Sequence, residues 1–179
     1  SFIEFKKHES AWLRDYCLYR ALKNRFGELP WYQWPTEFRN IYSARNASLS
    51  RQDEYYVQFH AFQQFLFDGQ WNRFLEYAKS TGIDIIGDSP IFVSHDSADT
   101  WSNPELFALK EDGQVKFRAG VPPDYFSKTG QLWGNPVYCW DVLKSNNFIW
   151  WIERLKRDLG RYSALRLDHF RAFHNYWSI

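Results

Sequence analysis

Apolar residues recur at helical spacing over 10–27, first as Trp12, Tyr16 and Tyr19 and then as Leu18, Leu22 and Phe26. This predicts one helix, from Ser10 as its N-terminal cap to a stop at Gly27. The LPWYQWP cluster at 29–35 and the polar run through Arg51 carry turn chemistry without a sustained period, so they read as loop and surface. Residues 54–67 are rich in aromatic side chains and read as helical. Beyond Gly69 a second helix is expected, because Trp71, Phe74, Leu75 and Ala78 fall at i, i+3, i+4 and i+7 ahead of Gly82. IDIIGDSPIFV follows, a β-branched run broken by Gly87 and Pro90, which reads as a buried strand leaving Asp88 at a turn. Residues 95–144 hold many of the glycines and prolines. They form a loop-rich segment too long for a plain connector, expected to be an insertion that builds part of a substrate cleft. Phe148, Ile152, Leu155 and Leu159 then make a helical stripe that Gly160 ends, and ALRLDHF (164–170) reads as a second strand with polar residues at its end.

Helices feeding buried strands predict an α/β fold with a parallel sheet. In such folds ligands meet the carboxyl ends of the strands, where Asp88 and Asp168 lie. A closed eight-stranded barrel takes about 250 residues. The 179 residues present are therefore expected to be one partial barrel domain, an excerpt of a longer chain that lacks Met and starts at Ser1.

Charge changes the list of partners. With a net charge of +1 the chain offers no basic field for nucleic acid, including single strands stacked on aromatic rings. No apolar run approaches the roughly 20 residues of a membrane helix, and SFIEFKKHES lacks a signal-peptide core, so a soluble intracellular protein without a membrane partner is expected. Cys17 and Cys139 are too few for a disulfide framework and read as free, packed thiols. Aromatic residues at 21% either thicken a core or line a groove where sugars stack.

Residues two apart on a strand face one side, so Arg166 and Asp168 should project together, with His169 on the other face or at the rim. A guanidinium close by favours the ionised carboxylate, which suits Asp168 to the role of nucleophile or charge stabiliser. A structural ion pair is the alternative. For Asp88 the alternative is a turn residue in GDSP. Ser94, His95 and Asp96 are chain neighbours that splay apart and do not form a hydrolytic triad. His95, Asp96 and Asp99 are read as helix-capping residues in preference to a metal site. Tyr125, Phe126 and Trp133 sit among glycines and prolines that would hold rings at the surface for sugar stacking, unless the loop folds onto its own body. Trp150 and Trp151 are assigned to packing.

The strings GDSPIFVSHDSADTWSNPELF, AGVPPDYFSKTGQLWGNPVY, WWIERL and RLDHFRAF, in this order, resemble the 4-alpha-glucanotransferases, also called amylomaltases or disproportionating enzymes, from about Trp12 onward. The resemblance implies a (β/α)8 barrel of the α-amylase type that transfers segments of α-1,4-glucans and maltooligosaccharides to another chain or to glucose. It implies no metal or organic cofactor and a cytoplasmic location, or a plastid if the source is a plant. It makes Asp168 the catalytic nucleophile at the end of the fourth barrel strand, with Arg166 its charge partner. It places Asp88, at the end of the third strand, and His169 in the donor-sugar site. Tyr125, Phe126 and Trp133 would belong to the loop over the cleft, with Gln131 nearby. Ala172 stands where the family usually has Gly, His174 where an acidic residue is common, and Cys139 where a polar one is. The family's general acid/base Glu and a further Asp belong to later strands, so these 179 residues alone are expected to be inactive. The competing reading is a noncatalytic carbohydrate-binding module built on aromatic platforms.

Overall fold

The computed structural model describes residues 1–125 and 127–179. In chain order the elements are α1 (Phe2–His8), α2 (Ser10–Arg25), α3 (Thr36–Arg39), α4 (Ile41–Asn46), α5 (Arg51–Ser80), β1 (Ile86–Ser89), α6 (Ala98–Ser102), β2 (Arg118–Val121), β3 (Gln131–Pro136), α7 (Trp140–Ser145), α8 (Ile149–Leu159), β4 (Ala164–Leu167) and β5 (Trp177–Ser178). They divide into two compact units, residues 1–71 with 96–102 and residues 72–95 with 103–179.

The first unit is helical. The expected helix forms as α2, which buries Leu13, Cys17, Leu18, Tyr19, Ala21 and Leu22, and Gly27 follows it at φ +61°. Its start differs from expectation: Ser10 is the first helical residue, Glu9 holds the cap position, and α1 precedes it. Residues 29–51 correct the sequence reading more deeply. Trp31, Trp34, Phe38, Ile41 and Ala44 are all at most 5% exposed, so this is core and not surface loop. Its turns and helices, a 3-10 turn at 31–33 followed by α3 and α4, are too short to show a helical period, and their stability comes from packing. The Trp34 ring lies 5.5 Å from Tyr19, 5.6 Å from Phe26 and 5.8 Å from Trp101. Asn40 caps α4 by accepting from the Tyr42 and Ser43 N–H groups. The two helices expected around Gly69 are one, α5. A helical glycine costs only about 1 kcal/mol, too little to break a long helix anchored elsewhere.

Asp96 is also reassigned. Ser97, not Asp96, supplies the capping oxygen that accepts from the Thr100 N–H. Asp96 instead accepts from Lys23 Nζ at 2.8 Å, from the Tyr19 hydroxyl at 2.7 Å and from the Trp31 N–H at 3.2 Å. Burial pushes its carboxyl up, but these donors outweigh burial and hold it below the ordinary carboxylate range. A carboxyl with a depressed folded pKa stabilises the fold fully above its unfolded pKa, near pH 4, and loses that contribution as pH falls through the folded value. Lys23 is 5% exposed, so Asp96→Ala strands a buried ammonium. We expect a loss of about 3 kcal/mol at neutral pH, and an unfolding midpoint in urea that falls less below pH 4 than the parent's does.

The second unit carries the strands. β1 and β4 pair in parallel, with Asp88 opposite Arg166 and Ser89 opposite Leu167. This is the α/β arrangement the chain pattern predicts, and the described residues form no closed barrel. β1 is half-buried where a buried strand was expected: Gly87 and Ser89 point inward while Ile86, on the opposite face, is 69% exposed. Gly87 is required by close approach, since a Cβ there would stand 2.3 Å from the Tyr162 ring. A second sheet, in the order β3-β2-β5, is antiparallel and lies within the segment read as loop and in the chain's last residues. Around these strands Ile91, Phe92, Leu106, Phe107, Val137, Tyr138, Leu143 and Trp151 form the core, and Trp150 packs against it as expected of the tandem tryptophans. In α8 the buried residue is Trp151; of the expected stripe Leu155 packs against the core, while Phe148, Ile152 and Leu159 are 40–57% exposed.

Candidate active site

The ends of β1 and β4 bring three charged side chains together. Alternation along β4 turns Leu165 and Leu167 inward and Arg166 outward, and Asp168, just past the strand, shares the outward side. The parallel register sets Asp88 beside Arg166. Arg166 donates from Nη1 to Asp88 Oδ2 at 2.6 Å and from Nη2 to Asp168 Oδ1 at 2.5 Å. One guanidinium thus spans two carboxylates, and the ladder continues past the strand because the Asp168 N–H donates to the Ser89 carbonyl. Both carboxylate side chains remain about half exposed, at 56% and 51%, so the cluster is open to a ligand and is not sealed in packing.

His169 follows at φ +51°, a left-handed conformation uncommon outside glycine, and it caps the 3-10 turn at 170–173. The reversal carries its ring to Trp133, edge to face, with centroids 5.1 Å apart. The Trp133 indole N–H donates to Gln131 Oε1 at 2.9 Å. Trp133, Gln131 and His169 line a cavity of about 560 Å³ that begins one residue from Asp168. The size falls within the range of small-molecule sites, and mixed ring and polar walls suit an amphipathic ligand.

Of the residues singled out from sequence, Asp88, Arg166 and Asp168 therefore form one cluster, and Gln131, Trp133 and His169 form the adjoining cavity wall. Tyr125 stands apart, 96% exposed and not among the described lining residues. Phe126 lies outside the described residues. Sequence reading missed Asp124, Arg171, Asn175, Tyr176 and Trp177, which also line the cavity. Tyr176 and Trp177 carried a signal, an aromatic pair close behind RLDHF, whereas Arg171 and Asn175 carried none. No group of three or more potential metal ligands occurs among the described residues. His95, considered for such a role, has its Nε2 on the Gly113 carbonyl.

The fold and site define the class as an α/β chain with paired carboxylates on one guanidinium at parallel strand ends, beside a ring-lined cavity. The profile of the 4-alpha-glucanotransferase family matches residues 1–179, and the chain belongs to that family. It is 49% identical to a 4-alpha-glucanotransferase of Thermus thermophilus over 100% of this chain and 36% of the relative. It is 47% identical to one of Aquifex aeolicus, over 98% of this chain and 36% of that protein. An amylomaltase of Streptococcus agalactiae, solved in complex with acarbose, superposes with a TM-score of 0.90 at 39% identity, over 99% of this chain and 36% of that one. The chain thus spans about a third of the length of the relatives it matches.

Proposed function

We propose that this chain supplies the nucleophile and donor-sugar side of a retaining 4-alpha-glucanotransferase acting on α-1,4-glucans, with maltooligosaccharides or glucose as acceptors. The observation that carries the reading is the Arg166 bridge between Asp88 and Asp168 beside the Trp133 and His169 wall. In this reading β1 and β4 are neighbouring strands of a (β/α)8 barrel whose other strands belong to the whole protein, and their carboxyl ends carry the site as in other barrels.

In the first half-reaction an Asp168 carboxylate oxygen attacks the anomeric carbon, the glycosidic C–O bond breaks and the leaving glucan oxygen takes a proton from an acid. In the second, an acceptor hydroxyl loses its proton to the same group and displaces Asp168 from the sugar. Asp88 and Asp168 are both engaged by the Arg166 guanidinium, and in this reading the acid/base is a group outside this cluster. Arg166 holds Asp168 in place and leaves its other oxygen available for attack. In this reading Asp88 accepts sugar hydroxyls. Trp133 and His169, packed edge to face, form the wall against which the sugar ring rests, and Tyr125 belongs to the segment that would close over bound glucan and exclude water. Among the described residues no helix is long and apolar enough to cross a membrane.

The reading is tested by incubating the whole protein with maltotriose. Products both longer and shorter than the substrate are expected, whereas glucose and maltose alone would mean hydrolysis, and unchanged maltotriose a pure binding module. The 179 residues alone should give no transfer, since acid/base assistance is worth about 10²- to 10⁴-fold.

A further inference from the structure

The four residues after β1 are held in an unusual way. The Pro90 carbonyl accepts from Arg154 Nη2 at 2.6 Å, the Ile91 carbonyl from the Tyr138 hydroxyl at 2.6 Å, and the Val93 carbonyl from Asn135 Nδ2 at 2.8 Å. The three donors come from α8, from the segment after β3 and from β3 itself. Each donor is itself placed by packing or by the sheet. The Arg154 guanidinium lies over Trp151 and Trp150, 5.0 and 5.4 Å from their centroids. Tyr138, 3% exposed, stacks on Phe92 and meets Trp151. Asn135 is two residues from Trp133 on the strand that forms the cavity wall. Phe92 closes the circuit by packing on Trp133 at 6.2 Å.

Backbone carbonyls need donors, which backbone neighbours or water usually provide; the Tyr138 bond to Ile91 is buried, and the Arg154 bond to Pro90 lies at the surface. Here side chains provide the donors, so the backbone two residues beyond Asp88 is fixed to the elements that carry the ring wall. Asp88 shares Arg166 with Asp168, and a displacement of about 1 Å in a reacting constellation can cost about 10²-fold in rate. We infer that Arg154 and Tyr138 are positioning residues for the Asp88, Arg166 and Asp168 cluster, acting through the backbone of residues 90 and 91. The inference rests on the reading of that cluster as the transfer site.

The test uses the whole protein carrying Arg154→Lys or Tyr138→Phe, assayed with maltotriose well below the melting temperature. Lysine loses the planar stacking on the tryptophans, and phenylalanine keeps the ring packing while deleting one hydroxyl. Each should lower kcat/KM about tenfold. Binding is then measured by calorimetry with maltotetraose in an Asp168→Asn background, where turnover does not interfere. Either variant should weaken binding several-fold when Asp88 is present and by less than about 1.5-fold when Asp88→Asn is added, because a group that acts through Asp88 has nothing left to position. Equal weakening in both backgrounds means ordinary structural damage and overturns the inference, as does unaltered kcat/KM in both variants. Should Arg154→Lys fail to fold, Tyr138→Phe decides. If the unsubstituted protein neither transfers glucan nor binds maltotetraose, the transfer reading falls and takes this inference with it. If it does both and the variants match it, the inference alone falls.

Discussion

Asp168→Asn is expected to lower glucan transfer by the whole protein at least about 10³-fold, with the melting temperature within about 2 °C and maltotetraose affinity within a few-fold of the parent. Asparagine keeps the shape and a carbonyl oxygen that can still accept from Arg166, so the cluster's geometry survives. What disappears is the negative charge and with it the ability to form an ester to the anomeric carbon. A 10³-fold loss corresponds to about 4 kcal/mol of transition-state stabilisation, modest beside the values measured when nucleophiles are removed from other enzymes. Stability should barely respond, because the ion pair is half exposed and such pairs contribute about 1 kcal/mol or less. Initial rates with maltotriose, thermal melts and calorimetry with maltotetraose check the three parts. A variant that transfers within tenfold of the parent would show that Asp168 is not the nucleophile. A protein with no transfer to lose would point to the carbohydrate-binding alternative.

The contrast between what the chain pattern discloses and what it conceals has a physical basis. α2 and β4 were legible because their apolar residues face a core at one period, and the alternation in ALRLDHF placed Arg166 and Asp168 on one side correctly. The register that adds Asp88 to Arg166 is a pairing between residues 78 apart, which no local period encodes. β2 and β3 were invisible for a different reason. RAGV and QLWGNP contain glycines where strands usually have branched residues, and at Gly120 a Cβ would stand 2.5 Å from the Gln131 carbonyl oxygen, so the composition that hides the strand permits the pairing. The buried segment around Trp31, Trp34 and Phe38 was concealed by its brevity, each turn contributing one ring to a core assembled from distant parts. Asp96 was misread because a helix start and a buried ion pair look alike in sequence, and Lys23 lies 73 residues away. The roles proposed for Asp88 and His169 come from motif resemblance, and geometry adds that Asp88 joins Arg166 while His169 lines the adjoining cavity.

The second large effect is expected at Arg166, where the argument turns on the shape of the cation. Its two terminal nitrogens each hold a different carboxylate, Nη1 on Asp88 and Nη2 on Asp168. Lysine preserves the charge but presents one compact ammonium, which cannot reproduce a planar fork with fixed separation. If the cluster needed only positive charge, Arg166→Lys would be nearly silent. If it needs Asp88 and Asp168 held at a set distance, transfer should fall about 10²-fold, the scale of losing one preorganised electrostatic partner. Arg166→Met should fall further, because two neighbouring carboxylates would then repel without a counter-charge. Because the Arg166 side chain is 60% exposed, neither variant should unfold the protein, and thermal melts alongside the rates would show this. The order arginine, lysine, methionine in kcat/KM for maltotriose, with lysine much closer to methionine than to arginine, is the result that the fork geometry requires. Lysine equal to arginine would remove Arg166 from the set of positioning groups and leave it a simple counter-ion.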